Sequence, residues 1–363
     1  MSHVFHKLTV KNVVEETDQS KSIYFDIPEN LKADYKYQAG QYLTLKFDVN
    51  GKEERRSYSL CTSPVEADLG VNVKRVKGGL ISNHVNDTVR AGSELDVMTP
   101  DGNFTIDLSE HKQRDFYFFA SGSGITPIIS MIKTILEEEP KSTCNLLYGN
   151  TNEACVIFKD QLQSLAGKHV GQFNYQQTLS KPQREKSGGL KGLFSKGKMS
   201  WTGWVGRIDK TKVDQFIGEY PKKSVEAHYM VCGPGAMIDT IIDHLEGLSI
   251  DSAFLHTERF VSTKPAAASG GVSGTVKVTL AGKQYEVVVP ADKTILDALI
   301  DEKIDAPYSC TSGACSTCVA KVHSGEVTMD VCYALDDSEV KSGYILACQA
   351  RCKSDIVELT FEA

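Results

Sequence analysis

The chain reads as a multidomain protein of three units: an antiparallel β-barrel over residues 1–110, an α/β domain on a parallel sheet over 111–262, and a small α+β domain over 275–363. Three observations predict that division. At 363 residues the length suits two or three domains, each large enough to bury its own core. The hydrophobic texture changes at Asp115, where short alternating runs give way to continuous apolar runs interleaved with helical ones. Residues 263–274, TKPAAASGGVSG, have the small, flexible composition of a linker.

In the first unit Tyr42–Phe47 and Val71–Val76 read as short strands between polar turns, the pattern of a small antiparallel barrel. The segment RRSYSL, Arg55–Leu60, falls on a further strand, where Arg56 and Tyr58, two apart, share a face. A guanidinium can hold a pyrophosphate while a neighbouring aromatic ring stacks on a planar heterocycle. On its own such a pair is more often plain surface, so the company it keeps decides. Further along, VKRVKGGLISNHV brings Gly78, Gly79 and Ser82, which can offer amides and a hydroxyl to phosphate oxygens, and TPDGNF follows at Thr99–Phe104.

In the second unit FYFFA (116–120) and CNLLYG (144–149) are apolar strands, and PIISMIKTILEEE (127–139) is helical, which indicates α/β construction. After the first strand comes GSGITP, containing Gly122, Gly124 and Thr126, a Gly-rich turn opening a helix whose N-terminus can face a pyrophosphate. It departs from the GxGxxG fingerprint. YGN at Tyr148–Asn150 and CGPG at Cys232–Gly235, with Gly233 and Pro234, each lie where a parallel strand should end and a ligand crevice open. For a lone cysteine in an apolar strand, such as Cys232, the ordinary role is core packing.

The third unit opens with two strands, Thr275–Leu280 and Gln284–Val289, around Ala-Gly-Lys, and a helix over Thr294–Glu302. Then come Cys310, Cys315 and Cys318, with Cys348 distant, the CxxxxCxxC…C ligand spacing of a plant-type 2Fe-2S cluster. The intervening residues are all small, so backbone amides can approach inorganic sulfides, and Gly313 can adopt a positive φ. Structural zinc more often uses two close cysteine pairs, and a disulfide framework belongs to small secreted chains. The order strand, strand, helix, cysteine loop, closing with GYILACQ around Cys348, resembles the plant-type ferredoxin module, which implies a β-grasp fold.

RSYS, GGLISN, GSGITP, YGN and CGPG, in this order and spacing, resemble the ferredoxin-NADP reductase superfamily. The resemblance implies that Arg56, Gly79 and Ser82 serve FAD phosphates, that Tyr58 packs on the isoalloxazine, and that Ser59 bonds the ring nitrogen that accepts hydride. It implies Gly122, Gly124, Thr126, Gly233 and Pro234 as nicotinamide-nucleotide contacts, with Cys232 beside the nicotinamide and Glu258 of HTERF near the flavin edge; Ser59, Cys232 and Glu258 are the implied catalytic residues. GGLISN looks more like FAD members than FMN members. After FNYQQTLS, Ser180-Lys181 stands where NADPH-using relatives carry Ser-Arg: the charge is kept and the planar fork is lost, so NADPH is expected, with NADH possible.

The order of modules resembles the reductase components of multicomponent oxygenases, in particular those of the phenylacetyl-CoA epoxidase type, which implies electron flow from NAD(P)H through FAD and a 2Fe-2S cluster to a di-iron oxygenase partner. Reductases for alkane, fatty-acyl or ring-demethylating oxygenases share these parts. A redox carrier or sensor without reductase activity, or a zinc-bearing module, are readings from other classes. The nine histidines form no HExxH motif, so oxygen activation is assigned to the partner.

Net charge is −7, and residues from Gly271 onward hold 8 Lys and Arg against 14 Asp and Glu. The cysteine module is thus the acidic part, a surface suited to a basic partner face or simply a solvated one. Nucleic acid is not an expected partner. The N-terminus lacks a signal-length apolar stretch, and no apolar run approaches the roughly 18 residues of a membrane span, so the cytoplasm is the expected location. Ten cysteines suit a reducing compartment. Lys181–Ser200 carries six basic residues against one acidic and reads as an inserted loop, either a solvated excursion or a docking surface for an acidic partner.

Overall fold

The computed structural model describes residues 4–49, 51–185, 198–260 and 270–361. Residues 186–197 of the basic insert and 263–269 of the expected linker lie outside them.

The first unit forms β1 (Phe5–Thr17), β2 (Ser20–Asp26), β3 (Tyr42–Val49), β4 (Lys52–Ser59), β5 (Leu69–Lys74) and β6 (Glu94–Met98), with α1 (Leu80–Thr88) between the last two. Their order is β4-β3-β6-β1-β2-β5, every pairing antiparallel, and a bridge from Leu60 to Val71 brings the two edges together as a barrel. Alternation sets the faces: Leu43, Leu45 and Phe47 of β3 enter the barrel core with Leu8, Ile23, Val71 and Val97. The strand expected at Val71–Val76 runs instead over Leu69–Lys74, because the chain turns at Lys77 and Gly78, the latter at φ 73°, before α1.

The second unit consists of β7 (Asp115–Ser121), α2 (Ile125–Glu138), β8 (Thr143–Asn150), α3 (Lys159–Lys168), β9 (Phe173–Leu179), the short β10 (Arg184–Glu185), β11 (Lys198–Met199) and β12 (Trp204–Val205), α4 (Lys210–Glu219), β13 (Ala227–Gly233), α5 (Gly235–Gly247) and β14 (Leu255–Arg259). The main sheet has order β12-β9-β8-β7-β13-β14 and is parallel throughout; β10 and β11 pair separately at the base of the insert. Both faces of β7 are covered, which is why FYFFA is apolar without alternation. Phe116 and Phe118 enter one core with α2, while Tyr117 and Phe119 enter another with α4 and α5.

The third unit consists of β15 (Gly274–Leu280), β16 (Lys283–Val289), α6 (Ile295–Asp301), β17 (Val319–Ser324), β18 (Val327–Met329), α7 (Asp337–Lys341), β19 (Tyr344–Leu346), β20 (Ala350–Cys352) and β21 (Ile356–Thr360). Its sheet, β16-β15-β21-β17-β19, is mixed, with β15 and β21 parallel, and α6 packs its Ile295, Leu296 and Leu299 into the core beneath, the β-grasp arrangement. Thr294 starts α6 with a capping box shared with Asp297, so two end amides are satisfied locally.

The three units do not join alike. Ala39, Cys61 and Phe104 of the barrel share one apolar core with α2 and β7, so the first two units are fused through hydrophobic packing. Among the described residues no apolar core spans the barrel and the third unit.

Candidate functional site

Ser59, Cys232 and Glu258 come from three strands and meet where the barrel adjoins the carboxyl edge of the parallel sheet, the place at which a nucleotide crevice belongs. Ser59 ends β4, and its Oγ donates to Glu258 Oε2 at 3.0 Å. Cys232 on β13 pairs in register with Glu258 on β14 and with Ala120 on β7. Glu258 is partly accessible as a residue, yet the packing round its carboxyl pushes the acid up to about 8, against the opposing pull of the Ser59 hydroxyl. Cys232 is fully buried, and burial, with Glu258 beside it, pushes the thiol up, so it stays protonated and apolar at neutral pH. A neutral acid and a neutral thiol suit a crevice that must accept an uncharged ring system.

The barrel wall leading from this crevice carries the phosphate candidates. Arg56 on β4 pairs with Glu54 at 2.9 Å and remains partly accessible. Tyr58, two residues on, packs against the barrel core. Gly79 precedes α1, and a Cβ there would stand 2.7 Å from Ser82 Oγ. Ser82 is buried, and its Oγ accepts from the Val76 amide at 3.0 Å, so the hydroxyl shapes the loop and keeps its own proton to donate. Glycine, small loop and accessible guanidinium together fit the phosphates of a flavin dinucleotide.

The nicotinamide candidates line the carboxyl edge of the parallel sheet. From β7 the chain winds to β8 and β9 on one side and resumes at β13 on the other, so the switch point lies between β7 and β13. Gly122 and Gly124 follow the first of these strands, and Gly233 and Pro234 close the second. A Cβ on Gly124 would lie 2.1 Å from the Cys232 carbonyl oxygen: the two loops touch backbone to backbone. Tyr148 donates to the Gly122 carbonyl at 2.9 Å, and Thr126 to that of Ser123 at 2.9 Å, which holds the turn at the start of α2. Ser180 and Lys181 follow β9, their amides donating to the carbonyls of Asn150 and Thr151. On β8 and β9 the Asn150 side-chain amide, Gln177 Nε2 and the Tyr175 hydroxyl are buried without a hydrogen-bond partner among the described residues, as groups awaiting a polar ligand would be.

The four cysteines converge at one end of the third unit. Cys315, Cys318 and Cys348 are buried, and Cys310 is partly accessible. Thiol contacts with Cys315 and Cys348 hold Cys310 low, and the same contacts push Cys315 and Cys348 up. The Ser312 amide points at Cys310 Sγ (3.4 Å) and Gln349 Nε2 at Cys348 Sγ (3.7 Å), amide donors of the kind that tune an iron–sulfur centre. Gly313 has φ 73°, as its place in the loop leads one to expect, and Thr311 holds the left-handed region without being glycine. Four thiols gathered at one end of the module fit a two-iron cluster, which divides its four thiolates between two metals.

Sequence reasoning missed a set of residues that join the barrel to the cysteine loop. Thr44 donates to Ser309 Oγ at 2.8 Å, and Ser57 bonds the same hydroxyl. Tyr42 Oη lies 2.8 Å from Thr317 Oγ1, and both reach Asp101. Arg55 pairs with Asp305 at 2.9 Å and lies over the Tyr308 ring, 4.2 Å from its centroid. Arg259 reaches the cysteine module too, over Tyr333. Arg55 and Ser57 lie in RRSYSL, Asp101 in TPDGNF and Arg259 in HTERF, yet those motifs gave none of them this role; a further signal was that Ser309 and Thr317 each adjoin a cluster cysteine. A surface depression of about 510 Å³ lined by Lys11, Glu66, Asp68 and Lys133 holds none of the motif residues, and the pairs Lys11–Asp68 and Lys133–Glu66 already occupy its polar groups.

Comparison with known proteins agrees with this division. Family profiles match residues 7–106 as an oxidoreductase FAD-binding domain, 118–243 as an oxidoreductase NAD-binding domain, and 278–353 as a 2Fe-2S iron-sulfur cluster binding domain. The chain is 34% identical to one component of the 1,2-phenylacetyl-CoA epoxidase of Escherichia coli, over 99% of this chain and 98% of that one. It is also 34% identical to the ferredoxin reductase component of 3-ketosteroid-9-alpha-monooxygenase from Rhodococcus rhodochrous, over 98% and 96%. Among solved structures it resembles phthalate dioxygenase reductase, with TM-score 0.59, 27% identity and 98% of each chain covered. FAD, NAD(P)H and a 2Fe-2S cluster are therefore its cofactors, and the chain belongs to the family of oxygenase reductase components, oxidoreductases that string an FAD-binding barrel, an NAD-binding domain and a 2Fe-2S domain on one polypeptide.

Proposed function

We propose that the chain is the reductase of an oxygenase of the phenylacetyl-CoA epoxidase kind, drawing on NADPH. The observation that carries the electron path is the meeting of Ser59, Glu258 and Cys232 in one crevice, with the cysteine loop bonded to the strand that ends at Ser59. When bound, FAD accepts a hydride and yields electrons singly, which the 2Fe-2S cluster takes one at a time at roughly −400 mV for plant-type examples.

The chain's own residues supply placement. Arg56 and the Gly79–Ser82 loop anchor the flavin phosphates, and Tyr58 supports its ring. Gly122, Gly124 and Thr126, facing Gly233 and Pro234 across the switch point, admit the nicotinamide nucleotide close to the backbone. Cys232 fills the space beside its ring without adding charge. Glu258, neutral below about pH 8, accepts from Ser59 and can hold a proton at the crevice mouth. Ser180 and Lys181 favour the adenosine 2′-phosphate of NADPH through a hydroxyl and a cation. Ten cysteines free of disulfides support a reducing, cytoplasmic location, and no described helix is long and apolar enough to cross a membrane.

Resemblance to the ketosteroid monooxygenase component at the same 34% identity makes that oxygenase class the second reading. Anaerobic addition of NADPH should bleach both flavin and cluster absorption, faster than NADH does. The reduced chain should then transfer electrons to the purified oxygenase of a phenylacetyl-CoA epoxidase faster than to a ketosteroid oxygenase. The reverse preference would replace the first reading with the second, and a colourless chain holding stoichiometric zinc would remove both.

A further inference from the structure

The seam between barrel and cysteine module follows strand alternation closely. On β3 and β4 the residues Leu43 and Leu45 turn into the barrel core and Tyr58 packs against it, and their neighbours Tyr42, Thr44, Arg55 and Ser57 turn out to the cysteine module. Thr44 and Ser57 are direct cross-strand partners, and both bond one atom, Ser309 Oγ. Tyr42 and Ser59 are the next such pair: Tyr42 meets Thr317, and Ser59 meets Glu258 in the crevice. Ser309 precedes Cys310, and Thr317 precedes Cys318. Two sets of hydroxyl contacts thus join β3 and β4 to the residues that precede two cluster cysteines, and Tyr42, Thr44, Ser309 and Thr317 are all buried.

We propose that this seam is the positioning contact for flavin-to-cluster electron transfer: Ser309 and Thr317 seat the cluster loop on Tyr42, Thr44 and Ser57, and Arg55 with Asp305 is its electrostatic latch. Tunnelling falls steeply with separation, so a loop one hydrogen bond from the crevice strand transfers and a loop set free of it does not. With FAD and the cluster bound, each passage would move one electron from the flavin that NAD(P)H has reduced to the oxidised cluster, with no bond in the chain formed or broken and the flavin's proton released to solvent. Because the seam is polar and, among the described residues, shares no apolar core, it can open again and free the same loop for an acceptor. The inference rests on the order flavin before cluster.

The test uses the full-length, cofactor-loaded protein under anaerobic stopped flow with NADPH, following flavin and cluster bleaching separately. Tyr42→Phe, which removes the bond to Thr317, should slow cluster bleaching about tenfold, Ser309→Ala, which removes the bonds to both Thr44 and Ser57, at least as much, and the pair together about a hundredfold or more, while flavin bleaching keeps its rate. Thr317→Val should slow the cluster step and Thr317→Ser, which keeps the hydroxyl, should restore it. The cluster's electron paramagnetic resonance spectrum and midpoint potential should not move, and amide exchange should rise at 305–309 and 316–318 but not across 118–243. If Ser309→Ala fails to retain its cluster, Tyr42→Phe, which leaves that domain intact, decides. Unchanged cluster bleaching in Tyr42→Phe with normal flavin bleaching overturns the seam's role. A wild-type chain whose flavin bleaches while its cluster stays oxidised overturns the electron order itself.

Discussion

Glu258 shows how one residue's surroundings set its chemistry. Its acid is raised from 4.5 to about 8 by burial, so the folded chain binds a proton there that the unfolded chain releases. Stability should therefore fall as pH rises between about 4.5 and 8. Glu258→Gln removes that slope, which denaturant titration across the same pH range will detect as a flatter profile with the variant gaining on the parent at high pH. At the other end of the path, Cys315→Ser should abolish NADPH-dependent cytochrome c reduction while flavin reduction by NADPH persists. Normal cytochrome c reduction by that variant would mean that this acceptor takes electrons before the cluster. The motifs around Arg56, Gly79, Gly122 and the four cysteines stand out in the sequence because each is only a few residues long. Tyr42 and Thr44 do not, since a hydroxyl on a barrel strand carries no local mark of what it will face, and the TPDGNF segment gives no sign that its Asp101 will meet Tyr42 and Thr317.

Among strands and helices, hydrophobic periodicity set most of the architecture. FYFFA and CNLLYG became central parallel strands because both faces of each are covered. The segment GGLISNHV, read for its loop, proved to open a helix over Leu80–Thr88, a short element that phosphate-loop reasoning passed over. The contact of the GSG turn with the CGPG loop is the tightest element junction in the crevice. Gly124→Ala would force a methyl onto the Cys232 carbonyl, 2.1 Å away, although the backbone at Gly124 is itself an ordinary helical one. A cost of roughly 1–3 kcal/mol is expected from such overpacking, read as a lower thermal midpoint, together with weaker nicotinamide nucleotide binding. An unshifted midpoint would mean that the two loops separate more easily than their packing implies.

Across the assembled chain, two kinds of junction serve two purposes. The barrel and the α/β domain share an apolar core, which packs the two firmly against each other. The cysteine module meets the barrel through hydroxyls and an ion pair, a junction that can part. That module carries the excess of acidic residues, whereas the basic insert belongs to the α/β domain. Deleting residues 186–197 should leave reduction of the oxygenase partner at its parental rate, because the cluster that makes the transfer is carried elsewhere in the chain. A slower rate confined to the native partner, with cytochrome c reduction intact, would assign docking to the insert.

The modules, their order and the cofactors they take follow from motifs of residues near one another along the chain, so the amino-acid order alone dictates them. Folding in three dimensions was needed to bring Ser59 to Glu258, 199 residues away, Thr44 to Ser309 across 265, and Tyr42 to Thr317 across 275. Such contacts are set by how three separately formed cores pack and by which face of a strand is left over once its own core is filled. That is a property of assembled surfaces, and no local period records it.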